Sequence, residues 1–250
     1  MRDMDRSPLP IAAPRAASDA TSSYWAATRE PFVCLLLLLP LVLAYELGAL
    51  IVHPESRIGQ RLVAESFIRQ MVAWVGTDAV WVPGVALLLT LLVWQVLSRK
   101  PWRVRYRVAP LMIVESLVLT LPLFVLRALS GPGVERVETL AGPVVLALGA
   151  GIYEELVFRF YLVSGLLWLL RRVCQVPRRA AMVSAIVLAA LVFAVCHMQP
   201  IGAEMFAWPR LVALTAAGGY LAVVFIFRGL GVATGCHVAY NVLALVLGTE

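Results

Sequence analysis

Long apolar runs, broken by short polar connectors, dominate the chain from residue 32 onward. A bilayer crossing needs roughly 17–25 mostly apolar residues. Seven runs come close to that length or exceed it: Phe32–Val52, Val80–Leu97, Val108–Leu129, Leu140–Leu170, Ala181–His197, Leu211–Phe227 and Val232–Leu247. The fourth is too long for one simple span, and Gly149 and Gly151 are the expected places for a break or bend. Between the first two runs, Leu62, Val63, Phe67, Met71 and Trp74 alternate with Arg61, Glu65, Arg69 and Gln70. That pattern predicts an amphipathic helix over Arg61–Val75, lying at the interface or packed on the surface. The expected architecture is an all-α, polytopic transmembrane bundle of seven helices, or eight if this segment crosses. The expected organisation is a disordered cytoplasmic tail over 1–31 and one helical domain over 32–250.

Composition agrees with the pattern. Of 250 residues, 61% are hydrophobic and 14% charged, against about 25% charged in soluble domains. A soluble ball of this size cannot bury so much apolar surface, so a second apolar solvent is required. Residues 1–29 are rich in Pro, Ala, Ser and Arg, and the apolar run begins too late for a signal peptide. The four cysteines, Cys34, Cys174, Cys196 and Cys236, form no CxxC pair and read as small apolar side chains.

The net charge of +6 lies in the connectors. Arg2, Arg6, Arg15, Arg29, Arg99, Lys100, Arg103, Arg105, Arg107, Arg171, Arg172, Arg178, Arg179 and Arg228 fall on one side of a seven-span scheme. Arg57, Arg61, Arg69, Arg136 and Arg210 fall on the other. The bias puts the N-terminus in the cytoplasm and points to anionic headgroups, with no nucleic-acid partner.

Charges inside apolar runs mark candidate chemistry, because each buried charge needs a partner or a proton. Glu46, Glu115, Arg127 and Arg159 lie in such runs; Glu46 is expected to face the bundle. Glu155 and Arg159 are four apart and pair on one helix face. Glu154 points about 100° away and is free for another role. A carboxylate in a low-dielectric cavity suits a general base. The fifth run ends at His197, with Phe193 on the same face to pack against the ring or orient it. The seventh carries His237 and Asn241 on one face. This set offers a base or metal ligand and two hydrogen-bond donors, enough to activate a water and hold an oxyanion. His53 reads as a surface histidine. An ion cluster that only ties helices together, or lines a transport path, uses the same residues.

Glu154-Glu155-x-x-x-Arg159, Phe193-x-x-x-His197 and His237-x-x-x-Asn241, in that order on separate hydrophobic helices, resemble the three motifs of the CAAX protease and bacteriocin-processing (Abi) family. The similarity covers about residues 142–247. The family often has Gly after the motif arginine; here it is Phe160. The resemblance implies an intramembrane endopeptidase acting on a membrane-associated or hydrophobic peptide or protein. The basic inner connectors and the lack of eukaryotic targeting features suggest a bacterial inner membrane. The resemblance also implies Glu154 as general base on water, assisted by His197, with His237 and Asn241 stabilising the oxyanion and Glu155 and Arg159 orienting Glu154. No cofactor is the preferred expectation; a zinc form would use Glu154, His197 and His237 as ligands. A transporter and a non-catalytic immunity or scaffold protein are the alternatives.

One geometric demand follows. His197 closes the fifth run near the outer face, while His237 lies about 8 Å into the seventh from the inner face. They meet only if the fifth helix stops inside the bilayer, or if a segment near Met198–Arg210 is re-entrant.

Overall fold

The computed structural model describes residues 24–52, 82–103, 106–129, 141–198 and 208–248. The amphipathic segment Arg61–Val75, His53, and residues 1–23 of the expected tail lie outside the described residues.

Every expected apolar run is helical where described, with turns at Thr120 and His197. The helices are α1 (Pro31–Val52), α2 (Val82–Ser98), α3 (Val108–Leu119), α4 (Leu121–Leu129), α5 (Ala141–Glu154), α6 (Ser164–Trp168), α7 (Arg178–Cys196), α8 (Trp208–Arg228) and α9 (Leu230–Leu247). Among the described residues, five stretches are long and apolar enough to cross a membrane: Pro31–Ile51, Val108–Ala128, Arg178–Cys196, Trp208–Arg228 and Leu230–Leu247. Pro83–Ser98 is a shorter apolar helix. The protein is a multi-pass membrane protein. Its outer surface agrees: Leu50, Ile51, Leu89, Val93, Val96 and Val118 are all exposed, which only a lipid solvent makes cheap.

The third run bends at Thr120, between α3 and α4. Pro122 has no N–H to return to the preceding turn, and the Thr120 hydroxyl donates to the carbonyl of Leu117 at 2.6 Å. The long fourth run does not break at its glycines. It stays helical from 141 to 173, and widens into π-helix at Glu155–Val163 and again at Leu169–Val173. Gly151 serves a different purpose: a Cβ there would lie 2.8 Å from the backbone nitrogen of Val238. The bare backbone lets α9 seat directly on α5. α9 is the central helix, packed against α5, α3, α8 and α1, with Val232, Ala233 and Cys236 fully buried.

The described residues begin inside the stretch expected to be tail. A helical turn at 24–27 packs on the α8–α9 junction. Tyr24 donates to Glu115 Oε2 at 2.6 Å, and Arg228 donates to both Glu115 oxygens. The Arg228 guanidinium lies 3.7 Å over the Trp25 ring. Burial and the adjoining Glu115 push the Tyr24 hydroxyl up to about 12, so it remains a donor at neutral pH. No local pattern reveals this pairing, because Tyr24 and Trp25 offer aromatic faces to a cation near the other end of the chain. Gly229 turns the chain at φ 90, and a Cβ there would meet the Thr28 carbonyl at 3.0 Å.

The close approach at Gly151 is testable by thermal unfolding in detergent. Gly151→Ala should lower stability by about 1–3 kcal/mol, the usual cost of overpacking. Gly165→Ala, with nothing within 4 Å of the added carbon, should be neutral or stabilise by up to about 1 kcal/mol.

Candidate active site

The α-to-π transition falls between the two motif carboxylates. Glu154 is the last residue of α5, and Glu155 opens the π segment. Glu154 is 5% exposed, and Glu155 and Arg159 are at most 1% exposed. Burial this deep demands that each charge be answered locally.

Glu155 is answered twice. Arg159 Nη1 lies 3.0 Å from its Oε1, and His237 Nδ1 lies 2.8 Å from the same oxygen. An ionised carboxylate only accepts hydrogen bonds, so His237 donates from Nδ1. That fixes the ring and turns Nε2 toward Glu154 Oε2, at 3.8 Å. On the other side, His197 Nε2 is 3.3 Å from Glu154 Oε1. Its Nδ1 donates to the Phe193 carbonyl at 2.7 Å. Glu154 thus sits between two imidazoles, each aimed by a bond at its far nitrogen. Such a bond sets tautomer and orientation in catalytic histidines.

Phe193 completes the frame. Its ring lies 4.1 Å from the His197 ring, and the Arg159 guanidinium stacks on it at 4.5 Å. Phe158 packs edge-on against Phe193 at 5.2 Å. Phe193 packs against His197 as expected, and its carbonyl adds a second role.

Two carboxylates share one guanidinium and two imidazoles in this cluster. His197 is the most open member, with 23% of its side chain exposed. The structure brings His197 and His237 together at the end of α7. α7 ends at Cys196, His197 caps it, and this helix end lies level with His237, two turns into α9. Arg210, at the start of α8, donates to the His197 carbonyl at 3.3 Å. Residues 199–207 lie outside the described residues.

Asn241 stands one turn beyond His237, where its Nδ2 donates to the Ala147 carbonyl at 3.3 Å. An amide nitrogen carries two hydrogens, so one remains for a ligand. Phe160 points away from the site and packs edge-on against Trp94 of α2 at 5.2 Å. All four cysteines are free. Among the described residues no group of three His, Cys, Asp or Glu side chains is arranged to hold a metal ion. Both Glu154 oxygens face imidazole nitrogens, at 3.3 and 3.8 Å.

Two neighbours of the site were not assigned from the sequence as partners. Tyr153, next to Glu154, donates to Glu46 Oε1 at 2.7 Å. Arg127 reaches α9 through the Ala244 carbonyl at 3.1 Å. A charge inside an apolar run flagged both Glu46 and Arg127; which residue answers it depends on helix packing.

Residues 136–243 match the family model described as type II CAAX prenyl endopeptidase Rce1-like. No curated protein and no solved structure matches the chain.

The shared Glu155 oxygen generates a stability prediction. Glu155→Gln removes the charge that answers Arg159 and leaves a buried guanidinium unpaired. Thermal or denaturant unfolding should show a loss of about 3–5 kcal/mol.

Proposed function

The chain contains a Rce1-like CAAX protease domain over residues 136–243, and from that premise we propose an intramembrane endopeptidase in which Glu154 activates water without a covalent intermediate. The observation that carries this reading is the buried Glu154 carboxylate held between His197 and His237.

Glu154 takes a proton from a water bound beside it, and the water oxygen attacks the scissile carbonyl carbon. His197 holds the water and steadies the carboxylate. The carbonyl π electrons move onto oxygen, giving a tetrahedral oxyanion. His237 Nε2–H and the second Asn241 N–H stabilise that charge. Glu155, on the far nitrogen of His237, stabilises the imidazolium that this donation requires, as a buried carboxylate does for a catalytic histidine. The tetrahedral species collapses, the C–N bond breaks, and the leaving amine takes the proton back from Glu154. Arg159 holds Glu155 and, through Phe193, the plane of His197.

The proposed substrate is a hydrophobic or lipid-anchored peptide entering from the membrane beside α7. The matched family's description concerns prenylated CAAX ends, so a peptide with a farnesylated cysteine is the first substrate to try. The arginine-rich connectors support a bacterial inner membrane with those connectors in the cytoplasm. A scaffold or a transporter does not need a carboxylate with both oxygens aimed at fixed imidazoles.

Glu154→Gln should lower cleavage by at least about 10²-fold, the scale of general-base catalysis, at unchanged thermal stability within about 1 kcal/mol. Product masses from farnesylated and unmodified peptides read this directly. Equal cleavage by wild type and variant would remove Glu154 from the chemistry. Cleavage should also survive 1,10-phenanthroline; an activity that the chelator abolishes and zinc restores would overturn the metal-free reading.

A further inference from the structure

Outside the matched domain, a polar side chain at membrane depth reaches α5 beside Glu154. Glu46 lies in the second half of α1. Its Oε1 accepts the hydroxyl of Tyr153 at 2.7 Å. Tyr153 is fully buried and immediately precedes Glu154. The ring of Tyr153 is held as well, edge-on against Tyr45 at 5.3 Å. Two consecutive residues of α1 therefore fix one side chain of α5, by its ring and by its hydroxyl.

α2 makes room for this. A Cβ at Gly84 would collide with the Glu46 carboxyl, so the bare backbone of Gly84 leaves the space that the carboxyl occupies. Gly48, two residues further along α1, admits Val145 of α5. α1 and α5 are thus closely seated along the stretch leading to Glu154. A carboxyl placed in lipid costs several kcal/mol unless it has a partner. Apolar residues would seat the two helices at lower cost; what a carboxyl adds is a directional bond.

That bond has a specific place to act. Tyr153 and Glu154 are the last two residues before the helix widens into its π segment. In a widened helix the rotation per residue changes, so the direction of Glu154 depends on where the α register is pinned. The Tyr153 hydroxyl pins it through α1, a helix that supplies neither histidine.

We propose that Glu46 and Tyr153 are positioning residues for the reaction: the Tyr153–Glu46 hydrogen bond holds α5 in the register that places the Glu154 carboxylate between His197 and His237. The inference rests on Glu154 being the base. Neither residue touches substrate, so their loss lowers kcat and leaves KM unchanged. Misplacing a reacting group by about 1 Å costs on the order of 10²-fold, and a loosened register costs a part of that.

The test uses the full chain in detergent with a fluorogenic peptide bearing a farnesylated cysteine. Tyr153→Phe and Glu46→Leu should each lower kcat about tenfold with KM within about twofold. Glu46→Gln, which still accepts the hydroxyl, should keep kcat within about twofold of wild type. The double variant Glu46→Leu/Tyr153→Phe should be no slower than either single, since both remove one bond. Wild-type kcat in folded Tyr153→Phe, or losses that multiply in the double variant, would overturn the proposal. So would a Glu46→Gln variant as slow as Glu46→Leu. Glu154→Gln is run alongside. If it keeps full activity, the base assignment fails; if it is inactive while Tyr153→Phe is fast, only the positioning role fails.

Discussion

Everything in this molecule is arranged around the cost of two adjacent carboxylates buried among apolar helices. Glu154 and Glu155 are neighbours in the chain but are answered differently. Glu155 is fully buried and answered by a guanidinium and an imidazole on one of its oxygens. Glu154 faces only imidazole nitrogens, at 3.3 and 3.8 Å. Arginine holds its charge at every accessible pH, whereas histidine exchanges protons near neutrality. Glu155 is thereby paired with a permanent cation as well as an imidazole, while Glu154 faces imidazoles that can trade a proton.

The helices serve this division. α9 supplies His237 and Asn241 from the centre of the bundle, seated on α5 where Gly151 has no side chain. α7 supplies His197 from its very end, and the ring's own donor closes on Phe193, one turn back. The π segment begins between the carboxylates, where a change of rotation per residue separates their directions. Arg159, Phe193 and His197 then form one stack. The residue that neutralises Glu155 therefore also orients the ring facing Glu154.

Much of this was legible in the sequence, for identifiable reasons. Span positions follow from hydropathy, because backbone groups in lipid leave no alternative to a helix. The Glu155–Arg159 pair follows from the spacing of four. The separate direction of Glu154 follows from the angle per residue. Other features depend on rotation and seating between helices, which a single chain does not display. Local propensity does not announce the π widening, and Gly151, which looked like a break, instead marks a close approach. The apolar run around Glu46 implied that its carboxyl faces the bundle but could not name Tyr153 as its partner. His197 and His237, which the sequence placed near opposite ends of their runs, both reach Glu154.

Hydrolysis is assigned to the point where Glu154 meets the two imidazoles. The most direct measurement of that assignment is a structure of the Glu154→Gln protein with an uncleaved peptide bound. The scissile carbonyl carbon should lie within about 4 Å of the substituted side chain at position 154, close enough for an intervening water. Its carbonyl oxygen should be directed at His237 Nε2 and Asn241 Nδ2. A scissile bond bound elsewhere in the bundle, with this cluster untouched, would contradict it.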